Sequence, residues 1–215
     1  MEINAIYEGD NLEVLSKFPD NSADLIYADP PFFSNKHYEV IWKDGAEIRA
    51  FEDRWKGGIE NYIAWMEPRI REAHRVLKDT GSMYLHCDWH ADAHLRILMD
   101  KIFGEKNFRN EIIWHYDYGA RSKKTFGSKH DTIFWYSKSG EWTFNAKDVL
   151  EPFKSKMTEW RYTKGGQRGK PMPEGKIPSD VWGGYKIQRN GKRTFRIPNS
   201  KTRCTVRAYN KCILK

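Results

Sequence analysis

The sequence predicts an α/β layer structure built on a largely parallel sheet. Three observations carry that expectation. Strand-like apolar runs alternate with longer segments whose apolar residues recur at steps of three and four. Clusters of Gly, Pro, Asp and Asn punctuate the alternation. A chain of 215 residues has the size of one domain with a small appendage, and 39% hydrophobic with 31% charged residues excludes fibrous and mostly disordered classes.

The elements follow in order. Ile3 to Tyr7 is a short apolar run that stops at Glu8-Gly9-Asp10. Asn11 to Phe18 places Leu12, Leu15 and Phe18 on one helical face, and Pro19-Asp20-Asn21 is a turn. Ala23 to Ala28 reads as a buried strand. Asp29-Pro30-Pro31 ends it, because two successive prolines lack the N–H groups a central strand needs. Gly58 to Leu77 is the clearest helix, with Ile59, Ile63, Met66, Ile70, Ala73 and Leu77 in helical register. Asp79-Thr80-Gly81 stops it, and Ser82 to His86 is the next strand. Ala91 to Phe103 is a second helix, with Leu95, Leu98, Met99 and Ile102 on one face and Gly104 as its stop. Glu111–Tyr116 and Thr132–Tyr136 are two further strands. Periodicity fades from about Lys154, where Gly, Pro, Lys and Arg dominate. That stretch reads as a loop-rich recognition region or a partly disordered arm.

Charge divides the chain. Residues 1–153 hold 20 Lys+Arg against 26 Asp+Glu, whereas residues 154–215 hold 17 against 3. A basic tail on a mildly acidic body suits an anionic polymer as partner or serves solubility alone. Nine Trp, eleven Tyr and eleven Phe, partly interleaved with Lys and Arg, suit base stacking beside phosphate contact or a well-packed core. Cys87, Cys204 and Cys212 are too few for a disulfide framework. No apolar run reaches the 18 residues of a membrane span, and the N-terminus does not read as a signal peptide. A cytoplasmic setting without membrane association is expected.

The most specific chemical signal is Asp29-Pro30-Pro31-Phe32 behind a buried strand. Open α/β sheets bind ligands beyond the carboxyl ends of their strands. The tetrapeptide places a carboxylate, a stiff backbone and an aromatic ring at such a mouth. By itself it also fits a Pro-Pro turn capped by a carboxylate. A second cluster, His86, Cys87, Asp88, His90 and His94, could hold zinc or form a strand-to-helix turn with surface histidines. No glutamate stands between the histidines as a zinc-protease helix requires, so no metal is expected.

YEGDNLEVLSKFPDNSADLIYADPPFFS resembles the opening of the amino-group DNA methyltransferases, which act on adenine N6 or cytosine N4. The early position of its DPPF element resembles the permuted beta group. HRVLKDTGSMYLHCDWHADAHLRILMDKIFGEKNFRNEIIWHY and SKHDTIFWYSKSG are similar to the segments that follow in that family, and together these cover roughly residues 5–140. The resemblance implies a Rossmann-like three-layer sandwich, S-adenosyl-L-methionine as cofactor, and double-stranded DNA with a flipped target base as partner. A restriction-modification setting is implied as well. Asp29 and the Pro30 carbonyl would accept the two amino hydrogens of the base, held rigid by Pro31, and Phe32 would stack on the extruded ring. An aspartate in first place resembles adenine-N6 enzymes more than cytosine-N4 enzymes.

Further roles follow with alternatives. Asp10 would lie near the cofactor, as Asp29 does, or simply cap the Asn11–Phe18 helix. Lys129, His130 and Asp131 would line the base pocket or form a solvated turn. Trp160 and Trp182 fall where the family keeps its target-recognition region. The implied organisation is a partial catalytic core over residues 1–150, a basic recognition segment over 151–203 and an atypical tail over 204–215. The resemblance breaks there. The family continues into a Pro-Thr-Gln-Lys-Pro-like segment and a strand ending in a Gly-rich turn against the cofactor, and this sequence has neither. A truncated product, or a fragment completed by a partner chain, is expected on that ground. A non-catalytic DNA-binding module and a zinc-dependent hydrolase are the rival readings.

Overall fold

A computed structural model of the chain describes residues 5–34, 37–41, 48–53, 55–116, 123–151 and 175–183. Strands β1 (Ala23–Ala28), β4 (Leu77–Cys87), β5 (Phe108–His115), β6 (His130–Ser137) and β7 (Val181–Trp182) form one sheet in the order β1-β4-β6-β5-β7. β1 runs parallel to β4, β6 runs antiparallel to both β4 and β5, and β7 runs parallel to β5. Four strands therefore share one direction and β6 alone is reversed, so the expected α/β architecture with a mostly parallel sheet holds. A separate antiparallel pair, β2 (His37–Ile41) and β3 (Ile48–Glu52), is an element that the sequence reading does not contain.

Side-chain alternation along the strands separates two cores. Ile26, Met83, Leu85, Cys87, Phe134 and Tyr136 face helices α1 (Asn11–Leu15), α2 (Gly58–Val76) and α3 (Asp92–Phe103). Their neighbours Ile112, Ile133 and Trp135 pack on the other face with Tyr27, Tyr84, Trp114 and Trp182. The stacked pair Tyr84–Trp135, 5.5 Å apart, shows how aromatic this second face is.

α2 buries Tyr62, Met66, Ile70, Ala73 and Val76. The apolar stripe thus passes through Tyr62, with Ile59 and Ile63 only partly buried at its margin. The helix ends at Val76, and Leu77 already begins β4. The parallel register then slips, from Ala23 opposite Leu77 to Leu25 opposite Ser82, so residues 78–81 form an irregularity within the strand. Gly81 sits there against backbone, and a Cβ on it would lie 2.9 Å from the Lys78 carbonyl oxygen and 3.1 Å from that of Ala23. Asp79-Thr80-Gly81 is therefore a strand bulge rather than a linker. α3 buries Leu95, Leu98, Met99 and Phe103, and Gly104 closes it at φ 84°.

Most of the basic segment 151–203 and all of 204–215 lie outside the described residues. Two pieces lie within them: Glu151 and Lys176 exchange backbone hydrogen bonds of 2.9 Å, and β7 joins the sheet edge beside β5. No helix among the described residues is long and apolar enough to cross a membrane.

Candidate functional site

The register brings three polar side chains to one end of the sheet. Ala28 pairs with Leu85, so Asp29 emerges beside His86. β6 is reversed, so its first residues reach the same end, where Trp114 of β5 lies opposite Asp131. His86 Nδ1 lies 3.5 Å from Asp29 Oδ1, and His86 Nε2 lies 3.6 Å from Asp131 Oδ2. Tyr27 shares a 3.0 Å hydrogen bond with His86 Nδ1, and the Tyr116 hydroxyl donates to Asp131 at 3.2 Å. The Phe32 ring stands edge-on to His86 with centroids 5.2 Å apart. His86 is thus held between two carboxylates, with Nε2 buried and making no hydrogen bond to any described residue.

Asp29 is the least satisfied carboxylate of this group. Its side chain keeps 29% exposure, yet no group among the described residues donates a hydrogen bond to it. Burial pushes its carboxyl above the ordinary range. The His86 imidazole pulls it back, and the Asp131 charge adds to the rise. No described group donates to the Pro30 carbonyl either. The site therefore presents two adjacent open acceptors.

Their surroundings are tied down. The Tyr62 hydroxyl, delivered by α2, donates to the Pro31 carbonyl at 2.6 Å. Asp53, 1% exposed, accepts from the Phe33 amide at 3.0 Å, from the Ser34 amide and hydroxyl at 2.6 Å each, and from the Trp55 indole at 3.1 Å. Phe33 adopts φ 62°, a left-handed conformation costly for a bulky residue, and the Asp53 bonds hold it there. Asp53 and Tyr62 are the residues that sequence reasoning missed as parts of this site; it reads Asp131 only as a pocket-lining residue and His86 only as part of the histidine cluster. The DPPF context was the available signal for Tyr62 and Asp53: a stiff loop requires anchors.

The other sequence-predicted residues distribute as follows. Asp10 caps α1, accepting from the Leu12 amide at 2.8 Å, and also pairs with Arg69; partial burial would raise its carboxyl, but the Leu12 bond and the Arg69 charge hold it below the usual range. His130 starts β6 beside Asp131, directly after Lys129, whose carbonyl accepts from the Tyr116 amide at 2.9 Å. Trp182 lies on β7, packs against the second core and donates through its indole to the Ser179 carbonyl at 3.1 Å. Trp160 lies outside the described residues. In the histidine cluster, the His90 ring is engaged by Asp88 at 2.8 and 2.9 Å and stacks on Trp89. No group of three His, Cys, Asp or Glu among the described residues is arranged to hold a metal, which removes the support for the zinc alternative.

Comparison with known proteins gives a consistent picture. The DNA methylase family of the N6/N4 type matches residues 23–212. The type II methyltransferase M.BglII of Bacillus subtilis is 32% identical over 197 residues, 87% of this chain and 50% of the relative. The DNA adenine methyltransferase YhdJ of Escherichia coli is 32% identical over 185 residues, 84% of this chain and 57% of the relative. Among solved structures, the cytosine-N4-specific PvuII DNA methyltransferase shares the fold with a TM-score of 0.57 at 17% identity, over 87% of this chain and 59% of that one. The chain thus spans about half the length of the curated relatives it matches.

Proposed function

Because the chain belongs to the N6/N4 DNA methylase family, we propose that it carries the acceptor half of a methyl transfer to an exocyclic amino nitrogen in double-stranded DNA, with adenine N6 as target, in a restriction-modification setting. The observation that carries this reading is the pair Asp29 and the Pro30 carbonyl, neither of which accepts from a described residue, on a loop anchored through the Pro31 carbonyl, the Phe33 amide and Ser34.

An aromatic amino group is a poor nucleophile because its lone pair is delocalised into the ring. Two acceptors that take both N–H hydrogens draw the nitrogen toward a tetrahedral form and free that lone pair. The diproline fixes the spacing of the two acceptors before the base arrives, which is preorganisation. Desolvation of Asp29 strengthens its hydrogen bond to the amino group, and its charge offsets the positive charge that grows on nitrogen. Phe32 supplies the stacking surface for the extruded base, worth about 1–3 kcal/mol. Lys129, His130, Trp160 and Trp182 are assigned to the DNA side, and the basic segment 151–203 to target recognition.

S-adenosyl-L-methionine is the donor assigned to this site, where it would supply a methyl group on a positively charged sulfonium. The carboxylates Asp29 and Asp131 suit a cation of that kind. Asp29 and Asp10 are the residues that would hold it, Asp10 while still shared with Arg69. Adenine is favoured over cytosine by the leading aspartate of DPPF and by the similarity to a DNA adenine methyltransferase.

The test incubates the protein and duplex DNA of mixed sequence with isotope-labelled S-adenosyl-L-methionine, then digests the DNA to nucleosides. Labelled N6-methyladenine is expected, and none with Asp29→Ala. Labelled N4-methylcytosine overturns the adenine assignment. Donor binding without any labelled nucleoside overturns methyl transfer by this chain.

A further inference from the structure

The loop that joins β5 to β6 rises from the rim of the site. At its base the Tyr116 amide donates to the Lys129 carbonyl at 2.9 Å, and the Tyr116 hydroxyl donates to Asp131 at 3.2 Å. Asp131 in turn faces His86, which faces Asp29. Residues 123–128 are all exposed, and Phe126 is fully so, at 102%. From Tyr118 to His130 the sequence holds Arg121, Lys123, Lys124 and Lys129 and no acidic residue.

A single exposed apolar side chain is ordinary. Ile97, 69% exposed on α3, is such a case. Phe126 differs in its setting: it stands out on a loop, with Lys123, Lys124 and Lys129 near it in the chain, five residues before Asp131, which faces His86 in the site. Duplex DNA matches that combination, with phosphates outside for lysines and apolar stacked bases inside for a ring. Extruding a base leaves a gap in the stack, and a planar side chain that fills it offsets part of the unstacking cost.

Building on the proposed DNA reading, we infer that loop 123–129 is a duplex probe. Phe126 enters the base stack beside the target, and Lys123 and Lys124 hold the flanking phosphates.

The test measures binding of the full chain to a short mixed-sequence duplex, either fully paired or with one central abasic site, across a salt series. A wedge gains where the stack is already open. The wild type should therefore prefer the abasic duplex by about tenfold, the range expected for one stacked ring. Phe126→Ala should lose that preference, Phe126→Trp should keep it, and Ile97→Ala should behave as wild type. Replacing Lys123 and Lys124 together by alanine should lower the slope of log affinity against log salt by about two. A Phe126→Ala protein that keeps the preference, or a double lysine variant with an unchanged slope, overturns the probe while the DNA reading stands. A wild type that binds neither duplex in a salt-dependent way overturns both.

Discussion

Asp29 and Asp53 serve opposite ends of the same loop and are treated in opposite ways. Asp53 is almost fully buried and takes four hydrogen bonds, two of them from the backbone of Phe33 and Ser34. Asp29 is partly buried and takes none from the described residues. The same division separates the two proline carbonyls: Pro31 accepts from Tyr62, and Pro30 accepts from no described residue. Burying a carboxylate without donors is unfavourable, so a fold tolerates it where something outside the chain supplies the donors. The saturated end makes the loop rigid, and the open end is what the rigidity serves.

The comparison breaks most sharply at Asp29. Asp29→Asn or Asp29→Ala should lower methyl transfer by at least about 10²-fold, the scale for removing one preorganised electrostatic partner, with DNA affinity nearly unchanged. Stability should move the other way for the asparagine. Burial raises the carboxyl of Asp29 in the folded state, so its ionisation destabilises the fold as pH rises through that raised value. Asp29→Asn should therefore be more stable than wild type at neutral pH. The gain should vanish as pH falls below about 3.9, where the carboxyl is protonated in the unfolded chain too. Thermal unfolding across pH measures this, and a less stable Asp29→Asn protein at neutral pH would contradict the desolvation argument.

Asp53→Asn tests the saturated end. An amide cannot replace an acceptor of four donors, and one buried donor left unpaired costs about 1–3 kcal/mol. Both stability and transfer should fall, with transfer falling less than for Asp29→Ala. A variant with lost transfer and unchanged unfolding would place Asp53 in the chemistry rather than in the anchor.

The pH profile sharpens the role of His86. Transfer needs Asp29 ionised, so the acid limb of kcat/KM should lie above the ordinary carboxylate range. The neighbouring imidazole lowers that value, so His86→Gln should move the limb to higher pH. An unmoved limb would mean that His86 only packs against Phe32.

The open end was legible in the sequence and the saturated end was not, and the reason is physical. Two prolines after an apolar run announce a strand end, and a carboxylate with an aromatic beside them announces chemistry. The periodic segments of β1, α2, α3 and β6 are legible for a similar reason, since each side-chain pattern reports a local geometry. Asp53 lies in a stretch crowded with charges, and its importance comes from contact with residues 19 and 20 positions earlier. His86 meets Asp29 and Asp131 only through strand pairing. The β2–β3 pair has a turn signal between its strands, Asp44-Gly45, but the charged and apolar residues on either side do not alternate cleanly, and sequence reasoning passed over it.

Tyr62 is the smallest and most discriminating case. Its ring is fully buried, packing beside Phe33 and Trp55, with centroids 5.5 and 5.0 Å away. Helical spacing alone does not choose between Tyr62 and Ile63, because both fall near the boundary of the apolar stripe. The choice is made by the hydroxyl, which reaches the Pro31 carbonyl. Tyr62→Phe keeps the ring and removes that one bond, worth about 1 kcal/mol. Unfolding should shift by that amount. Transfer should fall less than tenfold, and in kcat more than in KM, because the loop holding the two acceptors loses an anchor while the base-stacking surface stays. A loss as large as that of Asp29→Ala would mean that the Pro31 carbonyl, rather than that of Pro30, is the one the reaction uses.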